Sequence, residues 1–230
     1  MDIEAKLKTI DRCNVYDFVN ICTIRTLPIL GANGNFNYWT SPKWRQTYLM
    51  SIFYALIYDY GASQVTNETR RKQAYDSCID AMFSAGRGAE YYVMMSLMPR
   101  MQEKNLMDAA VKTALLTKSA FEKIGIGKET INSVLLQDID DMSKSQKLNI
   151  DTKIYGNIWQ NFHLALKKEG CIYWWNLYEK IFNGRYSRFQ IAHIRETLDN
   201  IISSYFPEIG STAGLEASAV ANYLERNNIF

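Results

Sequence analysis

Two histidines, His163 and His193, and four cysteines, at 13, 22, 78 and 171, are the residues of this chain best suited to metal binding or proton transfer. No pair among them has the short spacing through which neighbouring ligands reach one tetrahedral zinc ion, so no metal and no cofactor is expected. Asp138, Asp140 and Asp141 cluster closely enough to suggest a cation. The run lacks the glycine and the distal glutamate of a calcium loop, however, and reads as the acidic end of a helix. Gly125-Ile-Gly127-Lys128-Glu129-Thr130 departs from the phosphate-loop pattern at Glu122 and again at Glu129, which makes it a helix-to-helix turn. Gly86-Arg87-Gly88 reads the same way. Arg70-Arg71-Lys72 is a short basic run on a solvated helix face, and Asn67-Glu68-Thr69 matches a glycosylation acceptor with no meaning inside a cell. His163, between Phe162 and Leu164, is expected to flank an aromatic stripe as a structural histidine. What remains is Arg188-Phe-Gln-Ile-Ala-His193, a cation and a proton-transfer group that could together serve phosphate chemistry.

That last element is similar to the R-x4–6-H motif of the helical HEPN ribonucleases. The resemblance implies metal-independent RNA cleavage by a homodimer, with Arg188 and His193 of paired subunits facing one cleft. Phe189 stands where that family usually has a polar residue, and an arginine and a histidine meet at such a spacing readily by chance. The ribonuclease is therefore the alternative reading. A second resemblance involves Trp174-x-x-Leu177-Tyr178-Glu179-Lys180-Ile181-Phe182-Asn183-Gly184-Arg185, together with Arg25-Thr26-Leu27-Pro28 and the apolar segment after Trp44. These resemble the early R-x-L-P and the late W-x2-[WL]-Y-E-x-x-[LF]-x-G-R of a loose group of bacterial helical proteins. The likeness implies a bacterial or mobile-element origin and brings no catalytic residues.

The elements that position these residues follow from apolar periodicity. Ile3, Leu7 and Ile10, then Val15, Phe18 and Ile21, predict a first helix over residues 2–24 with a break near Asp11, ended by Pro28. Ser41-Pro42 starts a helix whose stripe is Trp44, Tyr48, Ile52, Ala55 and Leu56; its opposite face is apolar too, as in a central helix. Thr66-Asn67 is expected to cap the next helix. Shorter helices are predicted over 89–98, 101–124 and 128–142. Trp159, Phe162 and Leu166 form one stripe, closed by Lys167-Lys168-Glu169-Gly170, and Trp174, Tyr178, Ile181 and Phe182 form another. Ser187 and Gln190 fit a capping box, and Ser211 or Thr212 is expected to cap a last helix carrying Leu215, Ala219, Asn222, Tyr223 and Arg226.

No strand alternation is present, and the reading is an all-α domain of about ten helices, an irregular bundle or stack spanning 1–230, or one split into two layers near 140–150. A hydrophobic fraction of 47% excludes disorder, and a balance of 26 basic against 24 acidic residues excludes a strong general attraction to nucleic acid. The apolar runs are too short to cross a bilayer, no secretory signal is visible, and the cysteines read as free buried thiols. A cytoplasmic protein is expected. The functional expectation is a non-enzymatic protein-binding module, such as an immunity protein or a toxin or defence accessory, whose partner is a protein and not a membrane. A homodimer is compatible with it. Trp174, Trp175 and Tyr178, with Phe36, Tyr38 and Trp39 of the loop before the second helix, are its expected contact residues, because Trp and Tyr dominate binding hot spots.

Overall fold

In the computed structural model the described residues are 2–60, 68–99, 105–144, 152–184, 188–205 and 215–229, with side chains left undescribed at a few helical positions. They form eleven α-helices and two 3-10 segments, with no strand among the described residues, as an all-α fold requires. The helices are α1 (Ile3–Leu7), α2 (Arg12–Thr26), α3 (Pro42–Tyr60), α4 (Glu68–Ala85), α5 (Ala89–Ser96), α6 (Leu106–Lys123), α7 (Lys128–Ser143), α8 (Ile158–Lys168), α9 (Ile172–Phe182), α10 (Arg188–Tyr205) and α11 (Ala217–Arg226). The 3-10 segments are Leu27–Gly31 and Thr152–Tyr155. The expected caps at Thr66-Asn67, Ser187 and Ser211 or Thr212, and the glycosylation pattern at Asn67, lie outside the described residues in whole or part.

The break foreseen near Asp11 separates α1 from α2, and Asp11 caps the second helix by accepting from the Asn14 N–H at 2.8 Å. From Phe18 onward α2 is buried on every side. It packs against α3, α5, α6, α7 and α9, while α3 also meets α4, α10 and α11. Two central helices thus carry the rest. Buried side chains from Ile3 to Leu224 form one contiguous cluster, which includes residues on both sides of 145–151.

The end of α2 shows how local chemistry sets long-range packing. Pro28 has no N–H, so it can donate neither to the Ile24 carbonyl in an α turn nor to the Arg25 carbonyl in a 3-10 turn. The chain tightens into a 3-10 turn instead, with Leu27 N donating to Ile24 O. Two tyrosines from distant segments provide further donors: Tyr178 Oη donates to Ile24 O at 3.1 Å and Tyr155 Oη to Arg25 O at 2.9 Å. Beside them Arg25 grips Asp138 of α7 side-on, Nε to Oδ2 at 2.7 Å and Nη2 to Oδ1 at 2.6 Å, with both side chains at most 4% exposed. Burial by itself would weaken the charge on Arg25, but the bonds and the charge of Asp138 raise its pKa overall.

Asp138 is therefore no part of an acidic helix end. The neighbouring carboxylates turn elsewhere, Asp140 to Lys6 of α1 and Asp141 to the Gln137 amide at 2.7 Å. Three carboxylates with three separate partners do not form a cation site.

Gly31 and Gly170 bring α8 into place. A Cβ on Gly31 would lie 2.7 Å from the Phe162 Cα, so only glycine lets the 3-10 turn rest on α8. Gly170 takes φ +71° and ends α8, which frees Cys171 N to reach back to Leu166 O at 2.8 Å. At the carboxyl end the last helix turns one face to the core. Ala217, Val220, Ala221 and Leu224 of α11 are buried, while Ala219, Asn222, Tyr223 and Arg226 are exposed.

The thiols are free, and Cys22, Cys78 and Cys171 are buried, but Cys13 on the first turn of α2 is exposed, against the expectation that all four are covered. Under native conditions one thiol should react rapidly with a disulfide reagent and three only on unfolding; fast reaction of Cys22 or Cys171 would contradict this packing. For the ion pair, Arg25→Met leaves a buried carboxylate without its cation and should cost about 3–5 kcal/mol in denaturant unfolding, whereas Arg25→Met with Asp138→Leu should recover most of that loss. A single variant as stable as the parent would show that the pair contributes little.

Candidate functional site

The aromatic residues of α8 and α9 pack on one another through the core. Phe182 and Trp159 have ring centroids 4.6 Å apart, Trp159 and Trp175 5.0 Å, and Trp175 and Phe162 5.9 Å. The series continues from Phe162 to Phe36 at 6.4 Å, Trp39 at 6.2 Å, Tyr48 at 5.3 Å and Trp44 at 5.8 Å. Every step lies within the range of favourable aromatic pairs, worth about 0.5–1.5 kcal/mol each beyond burial. Trp174 stands apart from this path, stacked on Phe53 of α3 at 5.1 Å, with its indole N–H donating to Ala217 O at 2.8 Å.

Five of the six expected contact residues, Phe36, Trp39, Trp174, Trp175 and Tyr178, are buried, and Tyr38 is half-buried with its hydroxyl donating to Leu30 O at 3.2 Å. The five buried rings pack the interior. His163, stacked on Trp175 with centroids 4.8 Å apart, covers the aromatic cluster as a structural histidine should. The path surfaces at Trp44, a residue that the stripe of α3 assigns to the core. Trp44 sits on the first turn of α3, beyond the edge of the packed interior, and is 52% exposed.

The support beneath Trp44 is closely fixed. Tyr48 stacks against its indole at 22° and places its own hydroxyl 2.9 Å from Ser84 Oγ of α4. Trp39 donates its indole N–H to Ala81 O at 3.0 Å, tying the loop before α3 to α4. Arg45 reaches Trp39 O through Nε and Nη2, at 3.3 and 3.2 Å, while its Nη1 bonds Glu169 Oε1 at 2.6 Å. From α8, Asn161 donates to Ala32 O at 2.7 Å and Lys168 to Gly34 O at 2.9 Å. Side chains of α3 and α8 and a backbone carbonyl of α4 thus hold a loop that has no regular structure of its own. Among the described residues the other exposed large apolar side chains lie on separate helices: Phe83, Leu115, Leu164 and Tyr223, at 70%, 56%, 48% and 37%.

Arg188 and His193 both fall on α10. Positions five residues apart on a helix stand about 140° apart around its axis. His193 is exposed, and the Arg188 side chain lies outside the described residues, as do those of Arg70 and Arg71. Among the described residues no group of three or more histidine, cysteine or acidic side chains is placed to hold a metal ion, and no helix is long and apolar enough to cross a membrane.

Burial pushes the Tyr155 and Tyr178 phenols well above their ordinary value near 10, with Arg25 opposing the shift in both. A phenol whose pKa is higher folded than unfolded contributes stability that is complete below the unfolded value, about pH 10, and declines as the pH rises through the folded one. Part of the tyrosinate absorbance should therefore appear only above pH 10 and together with loss of the near-ultraviolet circular dichroism signal; full reversible titration of all tyrosines near pH 10 in the folded protein would refute this. In comparison with known proteins, the chain matches no family model, no curated protein and no solved structure.

Proposed function

We propose that the protein is a non-enzymatic module that binds a protein partner, in the manner of an immunity protein or of an accessory that neutralises or scaffolds a toxin or effector, and that Trp44 anchors the contact. The observation supporting this reading is a large indole left half in solvent on a rigid support. Apolar area gains about 25 cal/mol per Å² when it is covered, and tryptophan is prominent among the residues that dominate interfaces. Fixing Tyr48, Trp39 and Arg45 beforehand lowers the ordering cost of association. Three buried free thiols suit a reducing, cytoplasmic setting.

The test is affinity purification of the full chain from its host lysate with and without nuclease, paired with Trp44→Ala. The expected result is a stoichiometric protein partner that survives nuclease and binds the variant at least roughly tenfold more weakly, with unchanged thermal unfolding. A monomer that retains no partner, or a partner held equally well by Trp44→Ala, would overturn the reading. Loss of the partner on nuclease treatment would point to nucleic acid instead.

A further inference from the structure

Arg195 on α10 is 4% exposed, and its Nε and Nη1 have no hydrogen-bond partner among the described residues. The guanidinium lies 5.7 Å from the ring centroid of Tyr58 on α3, a cation–π contact that stabilises the charge without bonding the edges of the group. Its natural partner is Asp199, one turn further along α10. That carboxylate is taken by α3: Tyr58 Oη donates to its two oxygens at 2.9 and 2.7 Å, and Tyr54 Oη donates to Oδ1. Both phenols are pushed up by burial and by Asp199 itself, so they stay protonated and remain donors.

Arg25 shows the contrasting case within the same molecule. Its Nε and Nη2 hold both oxygens of a carboxylate, and only Nη1 is left over. Arg195 is comparably buried, and among the described residues its Nε and Nη1 meet no such oxygen. A guanidinium keeps its proton in proteins, so the cost of burial is not relieved by neutralisation and falls only when an anion is bonded. The fork of donors matches a planar carboxylate. Asp199, so near along the helix, opposes a second negative charge.

We propose that Arg195 anchors a binding site for a carboxylate monoanion, supplied by a small acid or by a protein partner. The site is distinct from the Trp44 surface, and its failure would leave that reading unaffected. The full chain, labelled with nitrogen-15, is titrated with sodium acetate and with sodium chloride at matched ionic strength, following the arginine Nε–H resonances. The Arg195 signal, identified by its absence from Arg195→Lys, should shift saturably with acetate and not with chloride. Arg195→Lys should also lose at least roughly tenfold in acetate affinity as read by thermal shift. If that variant fails to fold, through-bond assignment of the parent protein leaves the titration decisive.

A short peptide with a free carboxyl terminus that binds more tightly than acetate, and loses binding on amidation, would identify a partner's carboxylate as the ligand; equal affinity would identify a small acid. An Arg195 signal unmoved by acetate, or moved equally by chloride, would overturn the proposal. Phosphate binding as tightly as acetate would overturn its preference for a monoanion.

Discussion

The bidentate pair between Arg25 and Asp138 is the constraint around which the other helices are arranged. A guanidinium this deeply enclosed tolerates only a geometry in which its carboxylate is bonded, so the rotation and height of α2 against α7 are fixed together. The same stretch of α2 contains the carbonyls left short of donors by Pro28. Tyr155 and Tyr178 meet that need, and each carries its own segment to the α2 terminus. Three polar contacts thus set the register of three elements on one helix end, inside a core whose apolar packing alone would permit many near-equivalent arrangements.

Aromatic residues have two uses in this molecule. In the interior they fill space, and their few polar atoms find backbone acceptors, as with the Trp174 indole and the Ala217 carbonyl. At the start of α3 the packing ends while the stripe continues, and an indole emerges on a support as rigid as the core it grows from. An exposed ring need not interrupt the core; in this fold one continues it.

The helical character of the chain was legible because apolar period, proline and glycine act locally. The Asp11 break, the central nature of α3 and the Gly170 turn all follow from residues within a few positions of the event. What could not be read depends on partners far along the chain. Asp138 looks like one carboxylate of an acidic run until Arg25 is set beside it, 113 residues away. Arg25-Thr-Leu-Pro28 and the segment around Tyr178 are separate islands in the sequence, and only the fold shows that Tyr178 bonds a carbonyl at the edge of the first. Aromatic types mark where rings pack, but composition does not say which ring lies past the end of the packing. Trp44 lies on a predicted core stripe, and its exposure depends on where that stripe leaves the packed interior. The 3-10 turn at Thr152–Tyr155 is too short to give a periodic signal.

The long reach of the Arg25 contacts bears on how the chain is made. Its carboxylate lies 113 residues downstream, and the hydroxyls of Tyr155 and Tyr178 come 130 and 154 residues after the carbonyls they meet. At roughly 10 residues per second of synthesis, α2 waits on the order of ten seconds for Asp138 and longer for the tyrosines. Throughout that interval its guanidinium must stay hydrated, and the apolar flank next to it stays open to water. A central helix of the finished protein is thus synthesised well before the side chains that enclose it, and the nascent chain needs protection where the mature one is closely covered.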